Sequence, residues 1–222
     1  MVDEKLKMIK NNFNYHNEIM KNLTEGYKEG FNAEEKFLKN NIIVGSKVLE
    51  VGCGDGRSLV CIKDIAKEIF GIDHNEKAVE LAQKRFYKNK NVKIIEADAL
   101  KLPFNNNYFD YVLCMTTPAN FGDNKYKIYS EIKRVLRERG FFILSVFNEF
   151  AFQDRIKIYK KLNLQFRESS KKGKVIFDFE DKDNISEQFS QEDITNILNK
   201  SGFKICEIKK GGIFYLIKAG KK

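Results

Sequence analysis

The chain is poor in the residues that carry most metal and proton chemistry. Among its 222 residues are two histidines, His16 and His74, four cysteines, two prolines and no tryptophan. Cys53, Cys61, Cys114 and Cys206 lie in apolar or glycine-containing surroundings, and none belongs to a Cys-x-x-Cys pair. A zinc site and a disulfide framework are therefore not expected, and reduced thiols in a cytoplasmic protein are. No apolar run approaches the ~20 residues that span a bilayer. The first residues are charged and polar, without a leader's apolar core. The expectations are no metal, no membrane and a cytoplasmic location. No repeat, low-complexity tract or shift of composition marks a linker.

What is present suits one α/β domain with some decoration. Hydrophobic residues make up 42% of the chain, enough for a sizeable core. The net charge of +9 is unevenly spread. Residues 1–111 carry 18 basic and 17 acidic side chains, and residues 112–222 carry 22 and 14. Within 133–174 there are 12 basic and four acidic residues. Such a surface attracts anions, although a solvated lysine-rich face is its commoner meaning.

Strand-like and helix-like runs alternate, which predicts a mostly parallel sheet covered on both faces. Strands are expected at 47–51, 69–73, 92–96, 109–115 and 141–147. Helices are expected over 57–69, over 76–87 with Asn75 as N-cap, and over 124–138 with Gly140 as terminator. The first 40 residues read as helical. Over 148–189 the alternation lapses into a basic amphipathic segment, 152–164, and a β-like run, 174–179. Ser190-Gln191-Glu192-Asp193 is a capping-box signal for a last helix. The runs 203–208 and 213–218, joined by Lys209-Lys210-Gly211-Gly212, read as a terminal hairpin.

The densest signal is Val48-Leu49-Glu50-Val51-Gly52-Cys53-Gly54-Asp55-Gly56. A buried strand ends beside an acid, and alternating glycines let backbone approach a small cofactor. The third glycine falls one residue early for a dinucleotide fingerprint, whose place Arg57 takes. Asp73 closes the second strand, where a carboxylate with two acceptor oxygens can hold both hydroxyls of a ribose. His74 beside it would form an exposed pocket wall. Ala97-Asp98-Ala99-Leu100-Lys101-Leu102-Pro103-Phe104 follows the third strand, and Asn107-Tyr108-Phe109-Asp110-Tyr111-Val112 opens the fourth.

The Glu-x-Gly-x-Gly-x-Gly pattern, Asp73, the Asp98 segment and the Phe109-Asp110 strand, in this order, resemble class I S-adenosylmethionine-dependent methyltransferases. The likeness covers about 42–147 and 189–218. It implies an α/β, Rossmann-like three-layer sandwich with a seven-stranded, mostly parallel sheet, its last strand antiparallel and helices on both faces. It implies a single domain: a helical cap at 1–40, a cofactor core at 42–147, an insertion at 148–189 serving as substrate lid, and a helix and hairpin at 190–222. The implied cofactor is S-adenosyl-L-methionine, giving S-adenosyl-L-homocysteine. By the same resemblance Glu50 lines the floor under the methionine part, while Gly52, Cys53, Gly54 and Gly56 lie against it. Asp73 meets the ribose with His74 as a wall of the cofactor pocket, and Asp98 and the Ala99 backbone meet the adenine. Cys114 lies beside the transferred methyl as a small buried residue, not a nucleophile. After the fourth strand stands Thr116-Thr117-Pro118-Ala119, where amino methyltransferases of adenine or glutamine resemble one another in Asn/Asp-Pro-Pro-Tyr/Phe; that departure argues against those acceptors.

The expected reaction is direct in-line displacement onto a small-molecule acceptor. A sulfonium methyl is already activated, so the protein must hold a nucleophile at about 3–3.5 Å and exclude water. No clear general base stands out; Tyr15, His16, Asn120 and Asn148 are the weak candidates. One alternative is RNA methylation, with Phe150, Phe152, Tyr159 and Phe166 interleaved among the basic residues of 133–174. Another is a non-catalytic protein that binds the same cofactor. Monomer and homodimer both remain open.

Overall fold

The computed structural model describes residues 20–164, 166–168, 174–177 and 184–222. Tyr15, His16 and the end of the 174–179 run lie outside the described residues. The elements are α1 (Glu25–Asn41), β1 (Lys47–Val51), β2 (Glu68–Asp73), α2 (Glu76–Arg85), β3 (Val92–Glu96), β4 (Phe109–Met115), α3 (Lys125–Val135) and β5 (Leu136–Phe147). They continue with α4 (Phe152–Lys161), β6 (Phe166–Glu168), β7 (Lys174–Phe177), β8 (Asn184–Glu187), α5 (Gln191–Lys200), β9 (Phe203–Gly211) and β10 (Phe214–Lys221).

Seven strands form one sheet in the order β3-β2-β1-β4-β5-β10-β9. β1 to β5 run parallel, and β10 is antiparallel to both β5 and β9. Strand order reverses between β1 and β4, which opens a crevice beyond their carboxyl ends.

The period-two pattern of the strands makes the three layers. Val48, Tyr111, Leu113 and Met115 pack under α1, with Tyr27, Phe37 and Leu38. Leu49, Val51, Val112 and Cys114 pack on the other face, with Ile128 and Ile132 of α3 and Ile194 and Leu198 of α5. Residues one apart on a strand face opposite layers, so both faces must be apolar.

Two expected helices differ. Residues 57–69 form only a 3-10 turn, Ser58–Cys61, followed by turns. The Asn91 amide donates to the carbonyls of Lys63 and Ala66, at 2.8 and 3.0 Å, supplying bonds that a continued helix would have made itself. Further on, α3 stops at Val135 and β5 begins at once at Leu136, so Gly140 lies inside a strand rather than ending a helix. A Cβ there would stand 2.8 Å from Leu136 Cδ1 and 2.9 Å from the Asp110 carbonyl oxygen, and only glycine fits.

The insertion holds more structure than its sequence showed. α4 covers Phe152–Lys161, and β6, β7 and β8 form a separate antiparallel sheet. β8 packs against the turn after β4, and Asn148 and Phe189 pair in an isolated parallel bridge. No helix among the described residues is long and apolar enough to cross a membrane.

Candidate functional site at the β1–β4 crevice

The glycine turn hangs from the neighbouring strand. Gly52 N and Cys53 N both donate to the Ile72 carbonyl, at 2.8 and 2.9 Å, and Gly56 N donates to Cys53 O at 2.9 Å. Gly52, Gly54 and Gly56 have φ of +72°, +54° and +79°, a region that costs other residues strain. Their surroundings differ. A Cβ on Gly52 would lie 2.4 Å from Thr117 Cγ2, and one on Gly56 2.5 Å from the Phe86 ring. Nothing lies within 4 Å of the Cβ position of Gly54, so the middle of the turn faces open space. Thr117 Oγ1 donates to Gly52 O at 3.0 Å and ties this turn to the end of β4.

Asp73 is held by two backbone donors. Gly54 N donates to its Oδ2 and Asn75 N to its Oδ1, each at 2.9 Å, and the side chain is 13% exposed. Each carboxylate oxygen accepts more than one bond, so both keep acceptor capacity toward solvent. His74 is exposed, with Nδ1 3.7 Å from Asp73 Oδ1, at the rim. The exposed Asp98 accepts from Leu100 N at 2.8 Å, shaping the loop after β3, with Ala99 half-buried beside it.

Glu50 is 1% exposed on the floor of the crevice. Ser58 Oγ donates to its Oε1, and its buried Oε2 has no hydrogen-bond partner. Burial, and then the nearby Glu34 and Asp55 carboxylates, outweigh Ser58 and Arg57 and raise its carboxyl from 4.5 to about 8. It is mostly protonated at neutral pH. Burial likewise pushes up the thiols of Cys53 and Cys114.

Two expected site residues are turned elsewhere. Cys114 is fully buried, and its thiol donates to the Val51 carbonyl at 3.2 Å, so its side chain offers no contact surface in the crevice. Asn148 is fully buried, with Nδ2 donating to Gly212 O and Oδ1 accepting from Phe150 N, both at 3.0 Å. Its amide is spent on the backbone and cannot orient an acceptor. Asn120 is exposed in the turn Thr117–Asn120, at the end of β4.

The structure adds residues that the motifs did not reveal. Thr116 ends β4 with φ +62°, an unusual conformation for a β-branched residue. Its N–H donates to Ser145 Oγ at 2.8 Å, and Ser145 Oγ donates to Glu34 Oε1 at 2.5 Å. Glu34 Oε2 lies 2.7 Å from Arg57 Nη2. Burial opposes the charge of Arg57, but the Glu34 carboxylate outweighs it and holds the guanidinium above its ordinary value. Thr116 and Thr117 stood in a segment read only for what it lacked; no local signal marked Glu34.

These features fit a ligand with an amino-acid end and a ribose. The open Gly54 position leaves room for close approach, Glu50 has an orphaned buried oxygen, and Asp73 is a fixed acceptor pair. Among the described residues no cluster of three His, Cys, Asp or Glu could hold a metal.

Residues 49–144 match the family of the methyltransferase domain. The chain is 28% identical over 172 residues to a demethylmenaquinone methyltransferase of Staphylococcus aureus, covering 71% of each protein. It is 29% identical over 188 residues to a sterol 24-C-methyltransferase of Gibberella zeae, covering 82% of this chain and 46% of that one. Its fold is similar to that of a Pyrococcus horikoshii protein (TM-score 0.72, 23% identity, 90% and 92% covered). It is also similar to a SAM-dependent methyltransferase from Aquifex aeolicus (TM-score 0.66, 21% identity, 92% and 97% covered). The stretch 49–144 that matches the methyltransferase domain holds the carboxyl ends of β1 and β4 and so the crevice built above.

Proposed function

We propose that this chain transfers the methyl group of S-adenosylmethionine to a small-molecule acceptor at the carboxyl end of β4. The observation that carries the reading is Asp73, braced by Gly54 N and Asn75 N with acceptor capacity left over, beside an open Gly54. When bound, the cofactor supplies a methyl already activated on a sulfonium. The chain then has to bind, orient and exclude water.

In this reading Asp73 accepts from the ribose hydroxyls and Asp98 from the adenine amino group, with the Ala99 N–H toward the ring. Gly52, Cys53 and Gly54 present backbone to the methionine part. Glu50 offers its unpartnered oxygen to the ammonium there. An ammonium next to a buried carboxyl favours the ionised form, so binding at neutral pH displaces a proton from Glu50. His74 closes the rim. The insertion 148–189 serves as the lid over the acceptor, which the packing of β8 on the turn Thr117–Asn120 supports.

Relatives named for demethylmenaquinone and for sterol favour a small acceptor. Packing speaks against the RNA alternative. Tyr159 is 2% exposed, and Phe152 and Phe166 pack against the core, which leaves Phe150 for stacking. Arg134 and Arg137 are engaged with Glu131 and Asp110.

Calorimetric titration with S-adenosylmethionine, S-adenosylhomocysteine and NAD tests the cofactor. Micromolar binding of the first two and none of the third is expected, and binding of NAD alone would overturn the reading. Labelled methyl transfer to any acceptor would then exclude a purely binding role.

A further inference from the structure

Glu34 belongs to α1, in the stretch that the motifs do not reach. Yet its buried carboxylate touches both sides of the crevice. Oε2 holds Arg57, the residue that leaves the glycine turn, at 2.7 Å, while Oε1 accepts from Ser145 Oγ at 2.5 Å. Ser145 Oγ in turn receives the N–H of Thr116, the left-handed residue that ends β4. Phe31, one turn earlier on α1, lays its ring 4.0 Å from the Arg57 guanidinium carbon.

α1 is a fixed wall from which such a contact can act. A Cβ on Gly30 would stand 2.5 Å from the Phe214 ring, and one on Gly212 2.3 Å from Gly26 O. The helix is thus pressed onto β10 and the turn before it by glycines at the contact. Tyr27, Phe37 and Leu38 bury its face in the core. Apolar side chains of the same volume would anchor α1 as well, since a buried ion pair contributes little net stability over them. They could not hold a guanidinium and a hydroxyl at once.

We propose that Glu34 is a positioning residue that sets the glycine turn after β1 and the end of β4 at a fixed separation. This rests on the reading that the crevice takes S-adenosylmethionine. The carboxylate acts through Arg57 on one side and through Ser145 on the other, so α1 is part of the cofactor site's frame rather than a movable cover.

The test compares Glu34→Gln, Ser145→Ala and Leu38→Ala by calorimetry with S-adenosylhomocysteine, alongside their melting temperatures. Glu34→Gln keeps the volume and an acceptor for Ser145 but loses the charge pair; Ser145→Ala removes one neutral link. Leu38→Ala cuts a large hole under the same helix, away from the network. Affinity is expected to fall about tenfold for Glu34→Gln and about fivefold for Ser145→Ala. Leu38→Ala should stay within about twofold of wild type despite a lower melting temperature. Affinity unchanged in Ser145→Ala and in Glu34→Gln would overturn the proposal, as would losses that simply follow melting temperature across all three. Should Glu34→Gln fail to fold, Ser145→Ala decides alone. A wild-type protein that bound neither S-adenosylmethionine nor its product would overturn the functional reading itself, and this inference with it.

Discussion

At the scale of single residues, two carboxylates in one crevice are held in different surroundings. Asp73 is fixed by backbone N–H groups, and Glu50 is buried with one oxygen orphaned. Asp73→Ala removes charge-assisted bonds worth roughly 1.5–3 kcal/mol and is expected to weaken cofactor binding about ten- to a hundredfold by calorimetry. Glu50 is visible in pH dependence. Its carboxyl titrates near 8 in the folded chain against an ordinary 4.5. Between those values the folded state holds a proton that the unfolded state has lost, so the stability linked to this group falls as pH rises. Glu50→Gln removes that dependence. Its melting temperature is expected to gain on wild type steadily from pH 4.5 to 8, read by scanning calorimetry, while its cofactor affinity falls. The place of Asp73 at the end of β2 was legible in the sequence because the apolar run before it stops at an acid. Glu34 was not, because its partners Arg57 and Ser145 lie 23 and 111 residues away and its helix shows only an amphipathic pattern.

At the scale of elements, what the sequence could show depended on whether local chemistry decided the outcome. The Ser190 capping box forms as expected: Asp193 N donates to Ser190 Oγ at 3.1 Å, and Asp193 Oδ2 accepts from Ser190 N at 3.3 Å. Ser190→Ala should cost about 1 kcal/mol in denaturant unfolding and leave cofactor affinity unchanged, since α5 packs chiefly on β9 at the edge of the sheet. The segment after the glycine turn was misread because its apolar spacing is helical while a distant side chain, Asn91, satisfies its carbonyls. Gly140 was misread for the same reason: it looks like a helix stop, and a contact with Asp110 across the sheet gives it another task. The glycine turn itself makes a discriminating pair. Gly52→Ala meets Thr117 and should reduce both stability and binding. Gly54→Ala meets no protein atom, so the greater part of its effect should appear in cofactor affinity beyond the strain of its positive φ.

At the scale of the whole molecule, a ligand that binds only the folded chain adds to its stability by mass action. S-adenosylmethionine at a hundred times its Kd should contribute about 2.7 kcal/mol. For a chain of this size that raises the melting temperature by about 5–10 °C, readable in a thermal shift assay against an NAD control. The seven-stranded sheet and its helices were legible because alternating strand and helix signals constrain topology strongly. In the small sheet β6-β7-β8 the β-like run at 174–179 marked β7, while β6 and β8, three and four residues long, belong to no periodic pattern.

The bridge between Asn148 and Phe189 joins the two ends of everything that lies between β5 and α5. The chain departs from the main sheet and re-enters it at one point, with Phe189 N bonded to Phe147 O at 2.9 Å. The stretch between is therefore a closed excursion whose two ends are pinned together, so a change in its length leaves those ends, and the strand they leave, where they are.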